Sequence, residues 1–303
     1  MAPERFVLDP VRQRWRHGPI DLIVQAEGEV QALQAAHQQA WDEFQTVLTH
    51  LVQELPTLRQ AVQKGASQPC HGAVARDMWL ACEPLAEPDD AGFITPMAAV
   101  AGSVAQHLLR CYERPGVRRA AINNGGDIAL YLTPGTHWTL GVVSDMDATW
   151  LQAQGQADGV RPDAQLRIEP DSGVRGVATS GWSGRSLSRG IADSVTVLAA
   201  TAAQADAAAT MIANRVDVEH PGIARLPAHQ VCDDSDLGDR LVTRQVPQLP
   251  LGEITTALGR GLAYAQALVD RGLIQSALIT CQRQWVACGH EACLPHSSME
   301  ALA

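Results

Sequence analysis

Apolar residues recur along this chain with two periods, near 2 and near 3.6, and the switches between them outline its elements. Arg12–His17 and Ile20–Ala26 alternate on either side of "HGP", which predicts an opening hairpin. From Glu29 to Leu55 the positions Val30, Leu33, Ala36, Ala40, Phe44, Val47, Leu48 and Leu51 follow helical spacing, and Pro56 is expected to stop that helix. Lys64–Asp90 holds no sustained period and is expected to be mostly loop, with one short apolar element around Val74–Cys82. In "TPMAAVAGSVAQHLLRCYERPG", Thr95 suits an N-cap and Pro96 the first helical position. The small residues of Met97–Ala105 allow close approach by another element or a ligand.

Further on, Asp127–Val143 reads as a hairpin turning at "TPGTHW", and Asp145–Pro162 as a polar, Gly-rich connection. Strand-like pieces follow at Leu166–Ile168 and Val174–Thr179. "IADSVTVLAATAAQADAAATMIANR" reads as a short apolar element running into an alanine-rich helix. Val216–Pro250 looks irregular, and its acidic cluster of Asp233, Asp234, Asp236 and Asp239 is expected to be a solvated loop. A helix from about Ile254 to Arg271 precedes strands near Ala277–Cys281 and Gln284–Cys288. No fixed-period repeat is present. Hairpins alternating with long helices, without strict βαβ order, predict an α+β fold of layered antiparallel sheets with packed helices. The expected organisation is one domain over 1–303, with two sublobes (about 1–120 and 121–290) and a mobile C-terminal tail.

Composition narrows the function classes. Apolar residues make up 46% and charged residues 18%, enough for a sizeable core. A formal charge of −10 without a basic run argues against a nucleic-acid partner, because phosphate-backbone binding needs clustered Lys and Arg. Aromatic residues are only 4%, too few for stacking platforms along a single strand. A nucleotide ligand stays compatible, since glycine loops and a metal ion hold phosphate without net positive charge. The first fifteen residues carry no secretory pattern and no apolar run reaches the ~18–20 residues of a spanning helix. Seven scattered cysteines read as reduced thiols. A cytoplasmic protein is expected. The small-residue helix at Met97–Ala105 and the Ala-rich helix near Ala202–Ala213 pack within one subunit or between two copies.

Three loops carry candidate chemistry. "NNGGD" interrupts two apolar flanks: Asn124, Gly125, Gly126 and Asp127 offer exposed backbone N–H groups, positive φ and a carboxylate. Asp127 is suited to accept from a ribose hydroxyl, cap a turn or help hold a cation. The structural alternative is a hairpin whose Asn and Asp satisfy their own backbone. "ATSGWSGRS" places Thr179, Ser180, Gly181 and Arg185 after a strand, a composition that binds phosphate through N–H groups, hydroxyls and guanidinium, or forms a plain turn. Ser180 lies in no GxSxG elbow, which argues against a nucleophile. "GIADS" puts Asp193 before a β-rich stretch, as a metal ligand or a structural cap. In the tail, Cys281, Cys288, His290, Cys293 and His296 lack the paired CxxC knuckles of a zinc site.

Taken in order, these segments resemble the ApbE-like superfamily of T-fold-like proteins, whose hallmark members are magnesium-dependent FAD:protein FMN transferases. "INNGGDIAL" is similar to their NxGGDI strand-turn, "ATSG" to their SG loop, and "GIADSVTV" to the start of their magnesium motif. The resemblance spans roughly Thr95 to Asn214 and is nearest to an uncharacterised branch. It implies FAD or FMN and Mg²⁺ as cofactors, a protein as possible acceptor of flavin, and a ligand-facing role for "NNGGD". It also implies Asp193 and Thr196 as metal-holding residues. Two departures stand out. The transferases carry a histidine-containing H-x-I-D-P segment that "WSGRSLSR" has no room for, and a Thr four residues after the magnesium Asp, where this chain has Val197.

Three readings follow. One is a nucleotide- or flavin-binding protein, with cleavage of a pyrophosphate at Mg²⁺ and Arg185 steadying the leaving phosphate. A second is a non-catalytic binding or accessory protein on the same fold. The third is an enzyme of sulfur or thiol chemistry, with Cys70 in "QPCHG" and Cys111 as its candidates.

Overall fold

In the computed structural model, which describes residues 2–142, 164–184 and 186–290, the alternating N-terminal segments form β2 (Arg12–His17) and β3 (Ile20–Gly28). Their turn places Trp15, Leu22 and Val24 fully inside. β1 (Glu4–Val7) pairs outside β2 as an edge strand. The long periodic stretch is α1 (Val30–Leu58), whose buried stripe Ala36, Ala40, Phe44, Val47 and Leu51 matches the spacing read from sequence. Pro56 sits inside its last turn instead of stopping it. Proline there removes a single helical hydrogen bond at a frayed end, where helical φ is still accessible to it.

Part of the expected loop is helical. α2 (Ala73–Cys82) buries Val74, Ala75, Met78, Trp79 and Cys82 on one face. Ten residues are too few for periodicity to announce a helix. Its start is held from outside, because Glu54 of α1 accepts from the His71 and Gly72 N–H groups at 2.7 Å each. Thr95 caps a 3₁₀ turn, accepting from the Met97 N–H, and Pro96 occupies its first position. α3 (Val100–Leu109) continues from it.

β4 (Val117–Asn124), β5 (Asp127–Leu132), β8 (Gly176–Ser180), β9 (Ser194–Ala199), β12 (Ser276–Cys281) and β13 (Gln284–Gly289) complete a nine-stranded sheet. Its order is β1-β2-β3-β4-β5-β8-β9-β12-β13, and its neighbouring strands run antiparallel among the described residues. α4 (Ala202–Arg215) and α6 (Leu251–Asp270) join α1, α2 and α3 on one face. Between them lies α5 (Ala228–Val231), a single turn.

The hairpin expected over Asp127–Val143 does not form. β5 pairs with β4 along one edge and with β8 at Ile128 and Ala129 on the other. β6 (Trp138–Val142) pairs instead with β7 (Ala164–Ile168), and this ribbon covers the sheet face opposite the helices. Trp138, Leu166 and Ile168 pack there with Leu130, Val177, Leu198 and Leu278. The segment expected to be irregular holds a second ribbon, β10 (Ala224–Pro227) with β11 (Leu241–Gln245). The expected connection at 145–162 lies outside the described residues, as do Arg185, Cys293 and His296 of the candidate sets.

α3 and α4 pack within the chain. A Cβ on Gly102 would lie 2.3 Å from the Ala202 carbonyl oxygen, a distance only glycine allows. Among the described residues no helix is long and apolar enough to cross a membrane.

Candidate functional site

The glycine turn between β4 and β5 has a local explanation. Asn124 and Asp127 are opposed in register, leaving a two-residue connection in which Gly125 has φ 71° and Gly126 φ 118°. A tight hairpin turn with positive φ at both central positions needs glycine or asparagine there. The flanking polar residues do more than close the turn. Asn123 Oδ1 accepts from the Gly126 N–H at 2.9 Å, and the nearly buried Asn124 donates through Nδ2 to the Ala101 carbonyl of α3 at 3.1 Å.

Strand alternation assigns the faces. Ala129 and Tyr131 of β5 pack on the helical side, so Asp127 points that way too. The Asp127 carboxylate also accepts from the Thr179 N–H at the end of β8, at 3.4 Å. The glycine turn and the "ATSG" loop thus meet at one end of the sheet. On the ribbon side of the same end, the Thr179 and Thr196 hydroxyls are 3.0 Å apart. Ser180 ends β8 half-buried, and Gly181 is buried where a Cβ would lie 2.2 Å from the Asp193 carbonyl oxygen.

Asp193 enters just before β9. Its Oδ1 accepts from the Trp182 indole N–H at 3.1 Å, and its Oδ2 from the Gln282 backbone N–H. Asp193 and Thr196 therefore sit near one another in sequence but bond to different partners, on β8's outgoing loop, the β12–β13 turn and Thr179.

One acidic residue of this region lies outside the three candidate loops. Asp206 lies in the alanine-rich α4, and its Oδ2 accepts from the Gly102 N–H at 2.9 Å, with the Ala101 N–H also bonded to it. These are N–H groups of the first turn of α3, which have no partner within their own helix. In return, Gln106 of α3 accepts from the Ala203 N–H of α4 at 3.3 Å. Burial pushes the Asp206 carboxyl well above the usual carboxylate range, and the neighbouring negative charge of Asp127 pushes it further. The available signal was compositional: Asp206 is the lone acidic residue in "AAQADAAATMIAN", and it follows an alanine as Asp193 does. Thr210 lies four residues after it, the Asp-to-Thr spacing attributed above to the transferases, and so on the same helical face.

The acidic loop after α5 is tied down. Asp236 accepts from the Thr95 hydroxyl, Asp239 pairs with His229 at 3.0 Å, and Asp234 lies 3.8 Å from Arg59. Among the described residues no group of three His, Cys, Asp or Glu side chains is placed to hold a metal ion. Burial raises the Cys70 thiol and lifts Cys111 to about 12, which disfavours the thiolate that sulfur chemistry needs.

The family model described as "AbpE bacteria" matches residues 5–289. The chain belongs to this family. A UPF0280 protein of Methanothrix thermoacetophila is 30% identical over 162 residues, covering 53% of this chain and 61% of that protein. A UPF0280 protein of Methanothermobacter thermautotrophicus is 39% identical over 122 residues, covering 40% and 42%. The chain thus spans about half the length of the curated relatives it matches. Among solved structures, the apo flavinyl transferase ApbE of Pseudomonas stutzeri is 12% identical, covers 96% of this chain and 95% of that one, and gives a TM-score of 0.47. The flavin transferase ApbE from Vibrio cholerae is 13% identical, covers 99% and 100%, and gives 0.46.

Proposed function

We propose that this AbpE-family protein binds a flavin- or nucleotide-like ligand at the end of the sheet, across the Gly125–Asp127 turn and the Thr179–Gly181 loop. The observation that carries the reading is the meeting of Asp127 with the Thr179 N–H and with Asp206 at the start of α3. Glycine backbone, hydroxyls and a carboxylate pair there form the donor and acceptor set a phosphorylated ligand requires.

The carboxylates also fit a divalent cation. The Asp127 charge raises the cost of ionising Asp206, which a cation between them would relieve. Magnesium is commonly held by one or two carboxylates together with substrate phosphates. Asp127 and Asp206, with Thr210 on the same helical face as Asp206, are assigned that role, and Asp193 and Thr196 are assigned to shape the neighbouring wall. Bound there, Mg²⁺ would neutralise charge on a pyrophosphate. Thr179 orients the acceptor carboxylate through its N–H, and Asn124 fixes the turn against α3.

The test is to titrate the protein with FAD, FMN and ATP, each with and without Mg²⁺, and to analyse products by mass spectrometry. Mg²⁺-dependent binding that Asp206→Asn and Asp127→Asn both weaken is the expected result, and FMN and AMP released from FAD would identify the catalytic form. Binding that ignores Mg²⁺ and yields no product would establish the accessory reading, which the missing histidine segment favours. A protein that binds none of the three probes refutes the proposal.

A further inference from the structure

Outside glycine, Gln282 (φ 46°) and Arg283 (φ 68°) hold the only positive φ values among the described residues. They form the two-residue turn between β12 and β13, with Cys281 opposite Gln284. Such turns normally take Asn-Gly or Gly-Gly, because a Cβ is disfavoured at positive φ. Gln282 has a structural reason to be there: its Nε2 donates to the Pro247 carbonyl at 2.6 Å and its Oε1 accepts from the Leu249 N–H at 2.9 Å. Arg283 has none. Its side chain is exposed and bonds to no other described residue.

This turn is fastened to the candidate site through one carboxylate. Asp193 accepts from the Gln282 N–H with one oxygen and from the Trp182 indole N–H with the other. Trp182 is only partly buried in a chain with 4% aromatic residues, and its backbone N–H donates to the Ala192 carbonyl at 3.0 Å. Both the ring and the loop that carries it are therefore fixed. The Asp127 turn, the end of β8, the start of β9 and the β12–β13 turn all lie at the same end of four adjacent strands. Three strand spacings, ~14 Å, separate the first from the last. Strained backbone that persists without a packing reason is a pointer to function.

We infer that Trp182 and Arg283, positioned by Asp193, form the second wall of this site: Trp182 stacks on a planar heteroaromatic ring and Arg283 pairs with a phosphate attached to it. The inference rests on the ligand reading above and extends it to the far end of the rim. An oriented, partly exposed indole supplies stacking area, and an unpaired guanidinium supplies two-point recognition of an oxyanion.

FMN and riboflavin, which differ by the phosphate, separate the two roles when their Kd values are measured by calorimetry on the full chain. Trp182→Leu is expected to weaken both about tenfold or more, and Trp182→Phe to restore most of that loss. Arg283→Gln, at an exposed position with no effect on the core, is expected to weaken FMN several-fold and leave riboflavin unchanged. FMN affinity unmoved by Trp182→Leu and Arg283→Gln would overturn the inference and leave the ligand reading standing. A wild-type protein that binds neither FMN nor FAD nor ATP would overturn both.

Discussion

Replacing Gly102 by alanine pits helix propensity against packing at the crossing of α3 and α4. Propensity alone favours the change, since alanine is better than glycine inside a helix by about 1 kcal/mol. The crossing opposes it. The added Cβ would lie 2.3 Å from the oxygen and 2.6 Å from the carbon of the Ala202 carbonyl, and 3.0 Å from the Ala203 nitrogen. All three are backbone atoms, so no side chain can rotate away, and the helices must separate by about 1 Å to reach ordinary contact. That movement also stretches the Gly102 N–H···Asp206 and Ala203 N–H···Gln106 hydrogen bonds that tie each helix to the start of the other. Overpacking of this kind costs about 1–3 kcal/mol, and the lengthened bonds about 1 kcal/mol more. With propensity subtracted, Gly102→Ala is expected to destabilise by about 1–3 kcal/mol, a fall in Tm of roughly 2–5 °C for a chain of 303 residues. Gly259→Ala in α6 is the matched control, because nothing lies within 4 Å of its Cβ. It should stabilise by about 0.5–1 kcal/mol. Reversible thermal unfolding of both variants beside wild type checks this, and a Gly102→Ala protein melting at or above wild type would refute the reasoning.

Two further outcomes are expected. His37 Nδ1 sits 2.6 Å from the Tyr112 hydroxyl, and burial first, then the Arg5 charge, lowers its pKa to about 4. The folded state thus favours the neutral ring: its contribution is complete above the unfolded pKa of 6.5 and is lost as pH falls from there towards 4. After discounting for partial exposure the loss is about 1–2 kcal/mol, and melts of His37→Asn across this window should show a flatter pH dependence than wild type. Arg283→Gly removes a side chain from positive φ, gaining about 1–2 kcal/mol, against about 0.5–1 kcal/mol for glycine's freedom in the unfolded chain. A small rise in Tm together with weaker FMN binding is expected, and a fall in Tm would show that the turn is not strained.

Much of the fold was legible from order alone. The β2–β3 hairpin, α1, α6 and the β12–β13 pair each carry enough residues in one period for the pattern to stand out. Shorter patterns were only partly legible: the Val74–Cys82 element was expected without its type, and 216–250 was expected to be irregular. α2 is ten residues, and the β10–β11 ribbon is two strands of four and five. The partner of β6 was not legible either. Alternation says that a segment is a strand, and the free edge it finds depends on which edges its neighbours have already taken.

The candidate site divides the same way. Sequence by itself determined that glycine turns, hydroxyls and carboxylates stand at Asn124–Asp127, Thr179–Gly181 and Asp193, because backbone conformation and side-chain chemistry are local properties. Only tertiary structure decided which of them meet. Asp127 reaches the Thr179 N–H 52 positions away, and Asp193 reaches the Gln282 N–H 89 positions away. Asp206 reads in sequence as the lone acidic residue of an alanine-rich helix, and becomes a site residue because the glycine at 102 lets α3 set its first-turn N–H groups against it. Contacts of that range depend on how closely two helices can approach over a sheet, a distance that no window of sequence contains.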